Sequence, residues 1–239
     1  MVSQTNPQRV SAQSTVFLVN GDTYRGEWNG ANKHGNGIYH YAATGSVYEG
    51  EWRNNQRHGY GTFSIKESTP TTTQAGINPM RKVYAGEWAC GKRHGRGTHF
   101  FKDGSRYDGF WASDARQGFG KMEFANGDVY EGEWKDGKRC GHGILLLGNG
   151  DRYEGAWLED MKDGLGQFIY KYKRQVYDGE WAHDVPKCGT VMDLPPLIGH
   201  PPKKHPLPKI CLEDPMEVLR TQMNEIQIDR RQRIAASDL

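Results

Sequence analysis

The chain has 239 residues, a formal net charge of +2, a mean hydropathy of −0.83 and 11 per cent aromatic residues. Leu, Ile, Val and Phe together make up about 17 per cent, a level that ordinarily marks disorder, but near-neutral charge and many rings indicate a thin fold held by aromatic packing. The small charge gives no bulk field for nucleic acid, and no apolar run approaches the ~20 residues that span a bilayer.

Met1 to Thr15 is polar and lacks the apolar core of a signal peptide, so 1–15 is expected to be a flexible lead-in. Cys90, Cys140, Cys188 and Cys211 form no CxxC pair, which indicates reduced thiols. Cytoplasm and cytoskeleton are the expected compartments. Val16-Phe17-Leu18-Val19 before Asn20-Gly21 reads as a lone opening strand.

From Tyr24 onward a Tyr-x-Gly-x-Trp cassette recurs seven times and uses all seven tryptophans. Its copies start at Tyr24, Tyr48, Tyr84, Tyr107, Tyr130, Tyr153 and Tyr177, a period that defines a repeat architecture. Seven residues after six of the Trp come Gly35, Gly59, Gly95, Gly118, Gly141 and Gly164, and two further on Gly37, Gly61, Gly97, Gly120, Gly143 and Gly166. Before the Tyr, Asn20-Gly21, Asp103-Gly104, Asn126-Gly127 and Asn149-Gly150 predict hairpin turns of type I′, with positive φ at both central residues. Each unit therefore reads as strand, turn, strand, turn.

Period-2 alternation puts Tyr, Gly and Trp on one face and the intervening residues, such as Glu49, Glu51, Glu131 and Glu133, on an acidic opposite face. Glycine is unfavourable in strands, so the large rings are expected to lie over neighbouring strand glycines. Seven hairpins give 14 strands in an elongated single-layer antiparallel sheet, all-β, spanning 16–193 and roughly 65 Å long.

The third copy arrives late, and the excess falls in 64–82, which contains Pro70 and Asn78-Pro79. Prolines exclude it from a central ladder, so it is expected to bulge out as an insertion loop, either tolerated or partner-binding. In the seventh copy Cys188 and Thr190 stand where the two glycines are expected, as an atypical terminal unit. Next, 194–212 reads as a proline-rich connector, with six of the eleven prolines between Pro195 and Lys209. Asp214-Pro215 with Glu217 opens an expected helix over 213–235, whose stripe is Met216, Leu219, Met223 and Ile226. That stripe suits either docking on the chain's own sheet or pairing with a partner or second copy.

No nucleophile elbow, Walker loop or HExxH motif is present. The six Gly-x-Gly pairs are followed by strand and not by a helix N-terminus, which argues against phosphate binding. His34, His58 and His94 would stand ~9.6 Å apart in adjacent hairpins, too far to share zinc. A chain that is not an enzyme and carries no catalytic, metal or cofactor site is the expectation. Five residues after Trp the chain is basic six times, at Lys33, Arg57, Arg93, Arg116, Arg139 and Lys162, which predicts a positive rim. Solvated turn chemistry accounts for that rim, and attraction to acidic protein tails or anionic phospholipids is the alternative. Rings left exposed among Tyr48, Trp52, Tyr84, Trp88, Tyr107, Trp111, Tyr130, Trp134, Tyr153 and Trp157 would form a partner groove.

The run Tyr130-Glu131-Gly132-Glu133-Trp134, Gly141-His142-Gly143, Asn149-Gly150 resembles the unit of the MORN (membrane occupation and recognition nexus) repeat, and the likeness extends over about 16–190. The resemblance implies an elongated, slightly curved single-layer sheet with an aromatic groove, acting as a protein-interaction scaffold. It further implies axonemal or microtubule-associated partners in a cilium or flagellum, or germ-cell complexes, with the acrosomal region of sperm as a second location and a homodimer as one assembly. A peripheral membrane module and an adaptor tethering regulatory proteins in trans are the other functions it implies.

Overall fold

The computed structural model describes residues 14–67 and 80–195. All its elements are strands: β1 Ser14–Phe17, β2 Thr23–Asn29, β3 Asn32–Tyr41, β4 Ser46–Arg53, β5 Gln56–Lys66, β6 Met80–Ala89, β7 Lys92–Phe100 and β8 Arg106–Ala112. They continue with β9 Ala115–Glu123, β10 Val129–Lys135, β11 Lys138–Leu146, β12 Arg152–Leu158, β13 Met161–Tyr170, β14 Gln175–Ala182 and β15 Val185–Asp193. The fifteen strands pair in chain order as one open antiparallel sheet, β1 being the opening strand and the other fourteen the seven hairpins. The expected 213–235 helix with Met216, Leu219, Met223 and Ile226, and nearly all of the connector, lie outside the described residues.

Three local expectations are corrected. The opening strand lies two residues earlier than expected, because Leu18 to Asp22 forms the turn, closed by Leu18 N–H donating to Asp22 C=O at 2.9 Å. The ladder also runs into the segment read as a loop: Ser64 pairs with Lys82, Ile65 with Arg81 and Lys66 with Met80. The type I′ turns are the other set. Positive φ at both central residues occurs at Asn54-Asn55, Ser113-Asp114, Glu159-Asp160 and His183-Asp184, which follow the Trp. In the Asn-Gly and Asp-Gly turns before the Tyr only the glycine is left-handed (Gly150, φ +86°), Arg174 takes that place before Tyr177, and Asn149 accepts the Asp151 N–H at 2.9 Å as an Asx turn.

Each unit also carries a β-bulge between its two strands, as at Gly132/Glu133. In four units the glutamate before Trp holds it. Glu133 accepts the His142 N–H at 3.0 Å, and Glu27, Glu51 and Glu87 accept those of Asn36, Tyr60 and Arg96 at 2.8 to 3.1 Å. These carboxylates on the opposite face therefore serve as bulge fasteners.

In the seventh unit the sheet recovers a glycine that sequence alignment loses. Gly189, one residue short of its expected place, pairs with Gly179, and Tyr177 covers it as in every other unit. The bulge there is one residue shorter, so the apparent substitution by Thr190 is a one-residue shift.

Candidate functional site

The described residues have one core, and it is a row of rings on one face of the sheet. Tyr24, Tyr48, Tyr107, Tyr130 and Tyr153 are 0 per cent exposed, and Trp52, Trp88, Trp111, Trp134 and Trp157 are 3 to 5 per cent exposed. Tyr and Trp alternate without interruption from Trp28 to Tyr177, each pair edge to face with centroids 5.0 to 5.6 Å apart. Quadrupole attraction favours that T-shaped arrangement.

The two ring types divide the work. Tyrosine covers the glycine pair: a Cβ on Gly143 would stand 2.4 Å from the Tyr130 hydroxyl oxygen. The same hydroxyl donates to the Glu133 carbonyl at 3.1 Å, and burial raises the phenol pKa along the row, to about 12 at Tyr24 and Tyr153. Tryptophan links units. The indole N–H of Trp52, Trp88, Trp111, Trp134, Trp157 and Trp181 donates to the second glycine carbonyl of the preceding unit at 2.9 to 3.2 Å. Trp28, with no such glycine before it, keeps a buried N–H without an acceptor among the described residues.

The ten residues read as a partner groove thus hold the sheet together, and their rings leave little surface of their own. What covers them is the basic set. Arg57, Arg93, Arg116 and Arg139 do not project from a rim; each guanidinium lies 4.1 to 4.3 Å from the Trp ring of the following unit. Lys33 and Lys162 take the same position at 5.3 and 4.9 Å. A cation over an indole face gains from the ring quadrupole while its stem covers apolar surface. Six cations therefore form the outer layer of the aromatic face, flanked by the partly buried Tyr41, Phe63, Phe101, Phe124, Leu147 and Tyr170.

Backbone bonds repeat along the same row. The carbonyls of Lys33, Arg57, Arg93, Arg116, Arg139 and Lys162 accept a turn N–H from the next unit at 2.9 to 3.1 Å. The N–H groups of Lys33, Arg93, Arg139 and Lys162 donate to Asn55, Asp114, Asp160 and Asp184 at 2.8 to 3.0 Å. In the seventh unit the equivalent position, paired with Trp181, is Pro186, which has no N–H. These fasteners escaped the sequence reading, although the residue three after the last five Trp is always glycine or aspartate: Gly91, Asp114, Gly137, Asp160 and Asp184.

His99 takes a place in the core row that Tyr39, Met122, Leu145 and Phe168 fill elsewhere, and packs on Phe101 at 4.4 Å and Trp111 at 5.9 Å. Burial, then Arg93, Arg81 and Arg116, pull its pKa from 6.5 down to about 4. The folded state thus resists the proton that the unfolded chain accepts. Stability from this site is complete above pH 6.5 and falls as pH drops from there toward 4. His99→Met should flatten the midpoint of urea unfolding across that window, and an unchanged slope would show that His99 does not cause it.

The family described as MORN repeat matches residues 24–44, 48–66, 84–106, 107–129, 130–152 and 153–171. MORN repeat-containing protein 3 of Xenopus laevis is 45% identical over 213 residues, covering 89% of this chain and 87% of that protein. The protein of the same name from Mus musculus is 40% identical over 64 residues, 27% of either chain. Among solved structures, the SAS-4 TCP domain of Drosophila melanogaster, in complex with a proline-rich motif of Ana2, covers 72% of this chain and 94% of its own at 10% identity and a TM-score of 0.33. Six matched units in register with the strand ladder, and identity maintained across nearly the whole of a relative, make this chain a member of the MORN-repeat family.

Proposed function

We propose that the chain is a non-enzymatic scaffold that binds proteins along its aromatic and basic face, within the axoneme of a cilium or flagellum or within germ-cell complexes. The row of cations over the ring core supports this reading, because it repeats a cation stacked on a Trp ring in successive units of one sheet. Such an array gains affinity by engaging several contacts at once. Cytoplasm and cytoskeleton are the compartments that fit it, and a second copy of the chain is one partner it allows.

Fractionation of ciliated or sperm cells tests the reading. The scaffold should stay with the microtubules through detergent and leave only at high salt. Release by detergent alone would reject the axonemal part of the proposal. A peripheral membrane module is the second reading, and the same cation row is what favours it. Under it, vesicles carrying anionic lipid should bind the wild-type chain and lose it when Arg93, Arg116 and Arg139 are all changed to Gln. Under the scaffold reading neither form floats with vesicles.

A further inference from the structure

The cation row is not uniform. Arg93 and Arg139 are held by Asp114 and Asp160 at 3.0 and 3.1 Å, and Lys162 by Asp184 at 3.5 Å. Arg57 and Arg116 make only the turn-carbonyl bond, to Gly91 and Gly137, which Arg93 and Arg139 make as well to Asp114 and Asp160. Among the described residues no carboxylate lies within 4.0 Å of either guanidinium. The cause is the single turn position three residues after Trp, which is glycine opposite these two arginines and aspartate opposite Arg93, Arg139 and Lys162.

Asp160 acts on Arg116 only at longer range, and burial lowers the arginine's pKa despite it, the mark of an undercompensated charge. A guanidinium has five N–H donors, so most of those on Arg57 and Arg116 remain free while the Trp ring fixes the plane they lie in. That is a preorganised donor site for a carboxylate, present twice.

We propose that the aromatic face takes an extended acidic polypeptide segment whose carboxylates seat on Arg57 and Arg116. The inference rests on the scaffold reading and names the chemistry of its partner. The two arginines stand on β5 and β9, four strand spacings apart, or about 19 Å, which an extended chain covers in about six residues. A flat anionic membrane fits less well, because Asp114, Asp160 and Asp184 interrupt the row and would face the lipid charge. A peptide that spans the two sites crosses only one of these pairs, Arg93 with Asp114, and its period-2 alternation lets it present an uncharged group there, with the partly buried Phe63, Phe101 and Phe124 on the same face.

Gly91→Asp combined with Gly137→Asp gives the test. A Cβ at either position meets nothing within 4 Å, and their φ of 79° and 83° is close to the 73° and 72° at which Asp114 and Asp160 already stand. The variant should fold and should neutralise Arg57 and Arg116 as their neighbours are neutralised. The probe is a labelled octaglutamate peptide followed by fluorescence anisotropy, with octaglutamine as control. Octaglutamate should bind the wild-type chain, weaken with salt, and bind the double variant at least tenfold less. Arg57→Gln with Arg116→Gln, checked for folding by circular dichroism, should reproduce the loss.

Unchanged binding to the Asp variant, equal binding of octaglutamine, or no binding of octaglutamate to the wild-type chain would each overturn the proposal. So would competition from vesicles of phosphatidylcholine and phosphatidylserine that bind as tightly as the peptide. Each of these leaves the scaffold reading to be judged by the cell fractionation alone.

Discussion

Trp134→Ala is expected to cost about 3–5 kcal/mol and to split the urea unfolding curve into two phases. Truncating a buried ring loses its transfer energy and leaves a cavity, but Trp134 also joins units. Its edges meet Tyr107 and Tyr130, both at 5.2 Å, its N–H holds the Gly120 carbonyl, and Arg116 lies on its face at 4.2 Å. Repeat arrays are stable through nearest-neighbour contacts, so weakening a central one uncouples the two halves. Trp28→Ala supplies the comparison. Among the described residues that ring has no acceptor for its N–H and no preceding hairpin. Its loss should cost clearly less and keep a single transition. Equal costs at the two sites, read by far-ultraviolet circular dichroism, would show that the tryptophans do not couple the units.

Gly143→Ala is the second large effect, about 3 kcal/mol from adding one methyl group. The new Cβ would stand 2.4 Å from the Tyr130 hydroxyl oxygen and 2.6 Å from the ring, which is clamped between Trp134 and Trp157 and has nowhere to go. Tyr130→Phe removes the closest atom, so the double variant should recover part of the loss, a coupling visible in a double-mutant cycle. His142→Ala, one residue away on the exposed side of the strand, should stay within about 0.5 kcal/mol of wild type. No recovery in the double variant would place the strain in the backbone and not against the ring.

The contrast between these neighbours shows what could be seen in the sequence. Alternation and period were enough to place Tyr130, Gly132 and Trp134 on one face, to pair them with Gly143, and to count seven hairpins. Contacts within one hairpin are short in sequence and repeat identically, so they leave a pattern. The location of Arg116 did not. Its perch is a tryptophan 18 residues ahead in the next unit, and the turn it bonds is 21 residues away. From spacing alone a basic residue near a turn reads as solvated, because nothing in its own hairpin shows that the next ring will rise beneath it. Gly189 was hidden for a different reason: alignment on Trp181 assumes a constant bulge, and the last unit shortens it by one.

Pro186 determines how such an array can change over generations. Units that all make the same link have no built-in length, and any free edge offers the next one a place. At the last unit the donor that Lys33, Arg93, Arg139 and Lys162 extend forward is chemically deleted. A duplicated hairpin appended after Asp193 would meet a neighbour without that donor and would be held by fewer links than one inserted upstream. Lengthening the array is therefore expected to occur from within, with the terminator carried along at its end.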